Sequence, residues 1–179
     1  MSYGLTLRRG GAYNRLVEPD WTDPLDTSYS KARGARWNAA GTFGVLHLNA
    51  NERVARIQVE HKLVGRPYAV EDLDPAEQHD LVSVTVPSSA RLDCVTDNGL
   101  KAVELPASYP LDRRGRRVGH DLCQPVGQRA FDARRSGIAC RCAATGARPD
   151  DEELALFETH TGTVRATSRV GFADWFLAH

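Results

Sequence analysis

The sequence predicts an α+β fold, with about six short strands and roughly three to four helices forming a small mixed sheet packed by helices. Short apolar segments typical of strands are interspersed with amphipathic segments of helical length. The 179 residues suffice for one domain with its own core, so we expect a single domain over residues 1–179. The sequence lacks the glycine-rich strand-to-helix turn of doubly wound dinucleotide-binding folds, which argues against that fold class.

Turn and capping residues delimit the elements of the first half of the chain. Asn51 is a helix N-cap candidate, Glu52 lies in the first turn where the helix dipole favours an acid, and Gly65 is a stop signal. The predicted elements are a short strand over 5–17, a buried strand over 44–48, a helix from Glu52 to Val64 and a polar helix over 72–79.

The second half of the chain continues the mixed pattern. The predicted elements are a half-buried strand over 81–87, a weaker strand over 90–95, a long loop over 96–119, a helix over 123–136, a buried strand over 138–144, an edge strand over 163–167 and an aromatic helix over 172–177. Residues 150–157 carry acids followed by apolar residues, which is consistent with either a helical turn or the start of a strand.

Charge and hydropathy exclude several classes of protein. The 23 basic and 23 acidic residues cancel, so the overall field does not favour a nucleic acid or an anionic membrane as the main partner. The arginine run at positions 113, 114, 116 and 117 lacks interleaved aromatic residues and is predicted to be a solvated loop. No apolar run is long enough for a membrane span and no leader pattern is present, so we expect a cytoplasmic protein with reduced cysteines.

The stretch over 29–43 is the strongest candidate for a binding site, because it combines Gly, Arg, Trp and Asn between two turn signals. Arg36 can bind phosphate oxygens in bidentate fashion, Trp37 can stack on a ring, and Asn38 can donate to a ribose or an amide. This is the inventory of a pocket for a phosphate-bearing ligand. The alternatives are that Arg36 ties loops to Asp23 or Asp26, and that Trp37 belongs to the core.

On these residues the chain resembles the RES domain family, the NAD-consuming toxins of RES/Xre-type toxin–antitoxin systems. The features that carry the resemblance are the run Tyr13-Asn14-Arg15, the block Gly34-Ala35-Arg36-Trp37-Asn38 with Gly41, the strand Val45-Leu46-His47, Ala55 in the helix that follows, and the late strand from Gly137-Ile138 to Cys142. The resemblance covers about Tyr13 to Phe157 and implies an ADP-ribosyltransferase-like RES fold.

The resemblance also implies the site residues. Arg15 and Arg36 match the two arginines of the family pattern. At three positions this chain departs from the pattern, because His47 stands where the family has Tyr, Gln58 where it has Glu, and Cys142 where it has Ser. Arg15, His47, Gln58 and Cys142 are therefore the catalytic candidates, and Arg15, Arg36, Trp37 and Asn38 the candidates for binding NAD.

The implied activity is cleavage of the bond between nicotinamide and ribose, with NAD as substrate, no metal, and phosphate, water or a protein as acceptor. The implied partners are an Xre-type antitoxin and a second copy of the chain. A rival hypothesis is a RES-like binding module without turnover, because Gln58 lacks the charge that would oppose a developing cation. A third is a zinc site from His120, Cys123, Cys140 and Cys142, although the Cys-x-Cys spacing is tighter than usual.

Overall fold

The computed structural model describes residues 3–178; Met1, Ser2 and His179, which the predictions for the N-terminus and the domain limits include, lie outside this range. The strands are β1 (Thr6–Val17), β2 (Val45–Asn49), β3 (Asp80–Cys94), β4 (Gly137–Arg141), β5 (Glu152–Phe157) and β6 (Arg165–Val170). The helices are α1 (Ser28–Arg33), α2 (Glu52–Leu63), α3 (Asp97–Ala102) and α4 (His120–Asp132). Shorter 3-10 turns cover Val70–Asp72, Pro75–Glu77 and Glu158–His160, and a π-helical turn covers Ala173–Leu177.

The strands form one mixed sheet in the order β1-β2-β5-β4-β3-β6, with an additional pairing between β1 and β3. The pair of β3 and β4 is parallel, and the other pairs are antiparallel. Because β3 pairs with β1 along most of its length and with β4 through its last three residues, the sheet curves back on itself. This confirms the predicted α+β class and the mixed sheet.

Strand β3 is a single strand of 15 residues, so the prediction of two strands over 81–87 and 90–95 was wrong. Pro87, between the two predicted strands, lacks an amide hydrogen and cannot donate to the ladder. The pairing instead shifts register from Arg9 opposite Ser89 to Gly11 opposite Val86, which forms a bulge at that point. The absence of a side chain at Gly10 permits this close approach, because a Cβ there would lie 2.4 Å from the Ser88 Cα.

Each face of the central strands β2, β5 and β4 packs on a separate hydrophobic cluster. Leu154 and Leu156 point into the cluster enclosed by the curved sheet, whereas Ala155 and Phe157 point towards α3 and α4. Strand β5 is therefore buried on both faces. The segment over 150–157, which was consistent with a helical turn or a strand, therefore forms a strand in the middle of the sheet.

The remaining sequence predictions divide between confirmed and corrected elements. The strand at 44–48, the helix beginning at Glu52, the edge strand near 163–167 and the aromatic C-terminal turn are confirmed. The polar helix over 72–79 is wrong, because only two short 3-10 turns form there. Helix α1 and helix α3 were not predicted, and α4 both begins and ends three or more residues earlier than expected. None of the helices within residues 3–178 has the length and apolar character needed to span a membrane.

Candidate active site

A pocket of about 110 Å³ lies where α2 meets the end of β4 and the start of β5. We call it the Glu153 pocket. Its lining residues come from five separate parts of the chain, and they are Arg36, Gln58, His61, Arg117, Ala143, Ala144 and Glu153. The curvature of the sheet and the packing of α2 therefore build a site that no single sequence segment contains.

Glu153 supplies the carboxylate of this pocket. It lies on β5, directly opposite Asn49 on β2 and Cys140 on β4, and is partly buried. Its Oε1 accepts a hydrogen bond from the Gln58 Nε2 at 2.5 Å, and its Oε2 accepts one from the Ala143 backbone amide at 3.2 Å. Burial raises the pKa of this carboxyl, while the Ala143 amide and the charge of Arg36 oppose that rise. Both carboxylate oxygens are thus held in place by donors.

Gln58 reaches Glu153 because α2 packs firmly against the end of β4. Val54 and Ile57 on α2 form a buried cluster with Cys142 and Ala144. Asn51 caps the N-terminus of the helix, and its side chain accepts the Val54 amide at 3.0 Å, so the register of α2 is fixed from its first turn. This places the side chain of position 58 over the start of β5.

The Cys142 thiol lies against the same carboxylate. Its Sγ is 3.5 Å from the Gln58 Nε2, and the thiol also hydrogen-bonds the Glu153 side chain. Burial, followed by the charge of Glu153, raises the pKa of Cys142 to about 12. The group is therefore a neutral thiol at neutral pH, which suits a hydrogen-bond donor and not a thiolate nucleophile.

Arg36 is held by a tight turn that docks on α4. The Ala35 amide donates to the Asn38 carbonyl at 2.9 Å, and the Gln124 side chain donates to the Ala35 carbonyl at 2.9 Å. The turn approaches Gly127 so closely that a Cβ there would lie 1.7 Å from the Trp37 carbonyl oxygen. Burial opposes the charge of Arg36, but contributions from Tyr109, Cys123 and Cys140 outweigh it and raise its pKa, so Arg36 remains a cation.

Arg117 brings a second guanidinium to the pocket from the loop between α3 and α4. Its Nη1 lies 2.7 Å from the His61 Nε2, and its Nη2 donates to the Thr145 hydroxyl at 3.0 Å. The His61 Nδ1 is 3.1 Å from the same hydroxyl. Because an arginine can only donate, the contact with Arg117 requires a His61 Nε2 without a proton and therefore a neutral imidazole. Burial, together with the charges of Arg117 and Arg36, lowers the pKa of His61.

The comparison with protein families identifies this fold. A family model described as "RES domain" matches residues 12–175. The chain belongs to the RES domain family. Among solved structures, the MbcT–MbcA toxin–antitoxin complex of M. tuberculosis contains a chain of similar fold, with a TM-score of 0.74 and 22% sequence identity over 93% of this chain and 86% of that one. A comparison with curated proteins found no significant match.

The RES domain brings three of the predicted site residues together. Arg36, Gln58 and Cys142 all surround Glu153. His47 lies on β2 opposite Ala155, two residues along β5 from Glu153, and therefore on the same face of the sheet. Burial, followed by the charges of Arg15, Arg36 and His120, lowers the pKa of His47 to about 4, so the ring is neutral. Its Nε2 is buried and has no hydrogen-bond partner among residues 3–178.

Arg15 lies outside the pocket lining, as do Trp37, Asn38, His47 and Cys142. The Arg15 guanidinium donates to the Pro24 and Asp26 carbonyls and sits over the Trp21 ring. Burial lowers its pKa to about 10, so it is still charged at neutral pH. The contacts with the 23–26 segment that were considered for Arg36 are therefore made by Arg15, whereas the Arg36 Nη1 donates to the Val118 carbonyl at 3.0 Å.

Trp37 and Asn38 belong to the core of the RES domain. The Trp37 side chain is 1% exposed and lies in the cluster between the sheet and the helices. The Asn38 amide donates to the Ser30 and Phe43 carbonyls, both at 2.8 Å. The structure thus gives both side chains a part in shaping the turn that carries Arg36.

Sequence reasoning missed Glu153, His61 and Arg117. A signal for Glu153 was present, because it shares a strand face with Ala155 and Phe157 and is therefore an acid on a buried face. This signal could be recognised only once residues 150–157 were known to form a strand. His61 lies one turn beyond Gln58 on the same side of α2, which the helix period allows, whereas Arg117 had no distinguishing local signal.

A larger cavity of about 420 Å³ adjoins the pocket and shares Arg117, Ala143 and Ala144 with it. Its other side is lined by apolar residues that include Leu111, Ala147 and Pro149. No group of three or more His, Cys, Asp or Glu side chains within residues 3–178 is arranged to hold a metal ion. The zinc hypothesis therefore finds no cluster in this part of the chain.

Proposed function

We propose that this RES domain is a toxin that cleaves the nicotinamide–ribose bond of NAD and transfers ADP-ribose to phosphate, water or a protein. The observation that carries this proposal is the Glu153 pocket, in which the guanidiniums of Arg36 and Arg117 line the same space as a partly buried carboxylate. The family fold in which this pocket lies supports the proposal.

The charges of the pocket suit this chemistry. Loss of nicotinamide leaves positive charge on the ribose, and a carboxylate held in a poorly solvated site stabilises such an oxocarbenium-like state. Guanidiniums bind pyrophosphate oxygens in bidentate fashion. The pocket of about 110 Å³ has room for only part of a dinucleotide, and the adjoining cavity of about 420 Å³ offers space for the rest beyond Arg117.

We also propose a protein partner. The similar chain in the MbcT–MbcA structure is part of a toxin–antitoxin complex, which supports a cognate antitoxin, of Xre type, for this chain. We also expect the chain to self-associate, which light scattering would measure.

We expect expression of the wild-type chain alone to arrest bacterial growth. Growth unaffected at a verified expression level would contradict the toxin assignment.

A second candidate function is a binding module that holds NAD without turning it over. It is favoured by Gln58, the neutral residue that stands where the resemblance places a glutamate. The two functions differ in one observable, the release of nicotinamide by purified protein. The binding module predicts a stoichiometric complex and no release, whereas the enzyme predicts many turnovers.

The test is NAD consumption by the purified chain, with and without inorganic phosphate. A phosphate requirement would identify phosphate as the acceptor. We expect Arg36→Ala to lower kcat/KM by about 100-fold while the protein stays folded, because a charge-assisted contact to the substrate is lost. Arg33→Ala is the matched control, since Arg33 is exposed on the same segment and lies over Tyr29 instead of in the pocket. Unchanged NAD consumption by folded Arg36→Ala would refute the assignment of the pocket.

A further inference from the structure

We propose that Glu153 on β5 is the catalytic carboxylate of this site, and that Gln58 on α2 is the residue that positions it. This inference rests on the proposed function and names the residue that performs its chemical step. It departs from the expectation that the acid of the site would come from α2. The carboxylate lies instead on the neighbouring strand, where it accepts a hydrogen bond from the helix residue that stands in the expected place.

The contacts of Glu153 carry the inference. Among the lining residues of the pocket within the described chain, it is the only acid. Its two oxygens receive three donors, from the Gln58 amide at 2.5 Å, from the Ala143 backbone at 3.2 Å and from the Cys142 thiol. A carboxylate has about four lone-pair sites, so acceptor capacity remains for a ribose hydroxyl. Glu153 is thus both fixed in orientation and chemically available.

Neighbouring acids do not compete for this role. Glu152 points to the other side of the strand, where both of its oxygens accept hydrogen bonds from Arg9 at 2.7 and 2.9 Å. Glu60, two residues beyond Gln58 on α2, is exposed to solvent. The alternation of β5 and the helical period of α2 therefore leave Glu153 as the carboxylate that faces the two guanidiniums.

The proposed step balances as follows. The bond between the ribose C1′ and the nicotinamide nitrogen breaks, and its electron pair stays on the nitrogen. An oxygen of water or phosphate supplies the pair for the new bond to C1′. With water as acceptor, one proton passes to the Glu153 carboxylate and then to solvent; with phosphate dianion, its own proton remains on the phosphate. Glu153 stabilises the positive charge at C1′ while neither bond is complete.

Glu153 must be ionised for this role, so kcat should fall on the acid side. The groups facing it from the packed elements are Arg36, Arg117, Tyr109, Cys140 and Cys142, and His61 lines the same pocket. Arginine is cationic and the buried tyrosine and thiols stay neutral across the acid range, whereas His61 also gains a proton there. The acid limb of kcat that persists in His61→Phe therefore reports Glu153 itself. Since its pKa is raised by burial, this limb lies above the ordinary glutamate value.

The experiment compares NAD consumption by the wild type, Glu153→Gln, Glu153→Asp, Gln58→Met and the double variant Gln58→Glu/Glu153→Gln. We expect Glu153→Gln to lower kcat by about 100-fold or more with KM changed only a few-fold, since the charge acts in the transition state. The double variant returns a carboxylate across the same hydrogen bond and should recover at least about 10-fold of that loss. Gln58→Met should move the acid limb of kcat to higher pH, because the anion loses a donor.

Two outcomes separate this inference from the proposed function. If the wild type consumes NAD and Glu153→Gln keeps at least about a third of its kcat, the role of Glu153 is overturned and the NAD-cleaving function stands. If the wild type consumes no NAD, the proposed function fails and the role of Glu153 fails with it. Should Glu153→Gln not fold, Glu153→Asp decides the matter, since it must keep the acid limb while losing about 10-fold in kcat through the shorter reach to Gln58. A Glu153→Asp enzyme with no acid limb would overturn the inference.

Discussion

Replacing Gln58 by Glu should lower the free energy of unfolding, and the loss should increase as the pH rises. In the wild type the Gln58 Nε2 donates to the Glu153 Oε1 at 2.5 Å. A carboxylate at position 58 would place two anionic oxygens at that contact, and the pair would retain one proton. The unfolded chain releases that proton near the ordinary glutamate pKa of about 4.3. The folded state then binds more protons than the unfolded state, so stability falls as pH rises.

The size of the effect follows from the proton that the folded pair must keep. Holding it from about pH 4.3 to pH 7 costs at most about 3.7 kcal/mol, at about 1.36 kcal/mol per pH unit. Arg36 and Arg117 both face Glu153 and relieve part of this cost. We therefore expect Gln58→Glu to lower the free energy of unfolding by about 2 to 3 kcal/mol at pH 7 and by under about 1 kcal/mol at pH 5.

Urea unfolding of the wild type and the variant at both pH values measures this difference. Gln58→Met is the matched control, because it removes the same hydrogen bond without adding a charge. Its loss of stability should also grow with pH, since the Glu153 anion loses a donor, but by less than that of Gln58→Glu. An equal loss of stability for Gln58→Glu at pH 5 and pH 7 would refute the placement of Glu153 against Gln58.

Two further predictions concern the parts that hold the arginines. Gly127→Ala should lower the free energy of unfolding by about 1 to 3 kcal/mol and reduce NAD consumption, because the new Cβ would meet the Trp37 carbonyl at 1.7 Å and displace the turn that carries Arg36. Gln128→Ala, on the next residue of the same helix, should do neither. His61→Phe should raise KM for NAD several-fold at pH 7 with little change in kcat, because Arg117 loses its partner at 2.7 Å. Protonation of His61 should have the same effect as the substitution. Because the folded-state pKa of His61 is lowered, the stability that this side chain contributes is complete above about pH 6.5 and is lost as the pH falls. A wild-type KM that stays constant from pH 8 to about pH 5 would argue against this contact.

Local signals predicted the elements whose boundaries are set locally. Helix α2 begins where Asn51 caps it and ends before Gly65, which has a φ of +76°. The polar segment over 72–79 packs only Leu73 on a hydrophobic cluster, and with so little packing a short helix is marginal, so the segment forms only 3-10 turns. Strand β5 is the opposite case. Its two faces are buried against two separate hydrophobic clusters, so the alternation that marks a half-buried strand is missing from its sequence.

The same distinction separates the site residues that sequence reasoning found from those it missed. Arg36 was found because the glycines and the aromatic beside it form a local pattern, and that pattern indeed builds the turn that presents it. Arg117 belongs to a run of exposed arginines and is singled out by its contacts with His61 and Thr145, which lie 56 and 28 positions away along the chain. Glu153 was missed because its importance depends on the register of β5 with β2 and β4, a long-range property.

The displacement of the carboxylate from α2 to β5 bears on how the departures from the family pattern are interpreted. Read along the chain, Gln58 marks a site that has lost its acid and favours a binding module. In space, Gln58 contacts Glu153 directly, so the negative charge remains in the pocket within one side chain of the expected place. The charge that stabilises an oxocarbenium-like ribose acts through its distance and its surroundings, whichever element supplies it. The loss of Glu at position 58 is therefore no argument against turnover in this chain, and the binding module must rest on NAD that is bound and not consumed.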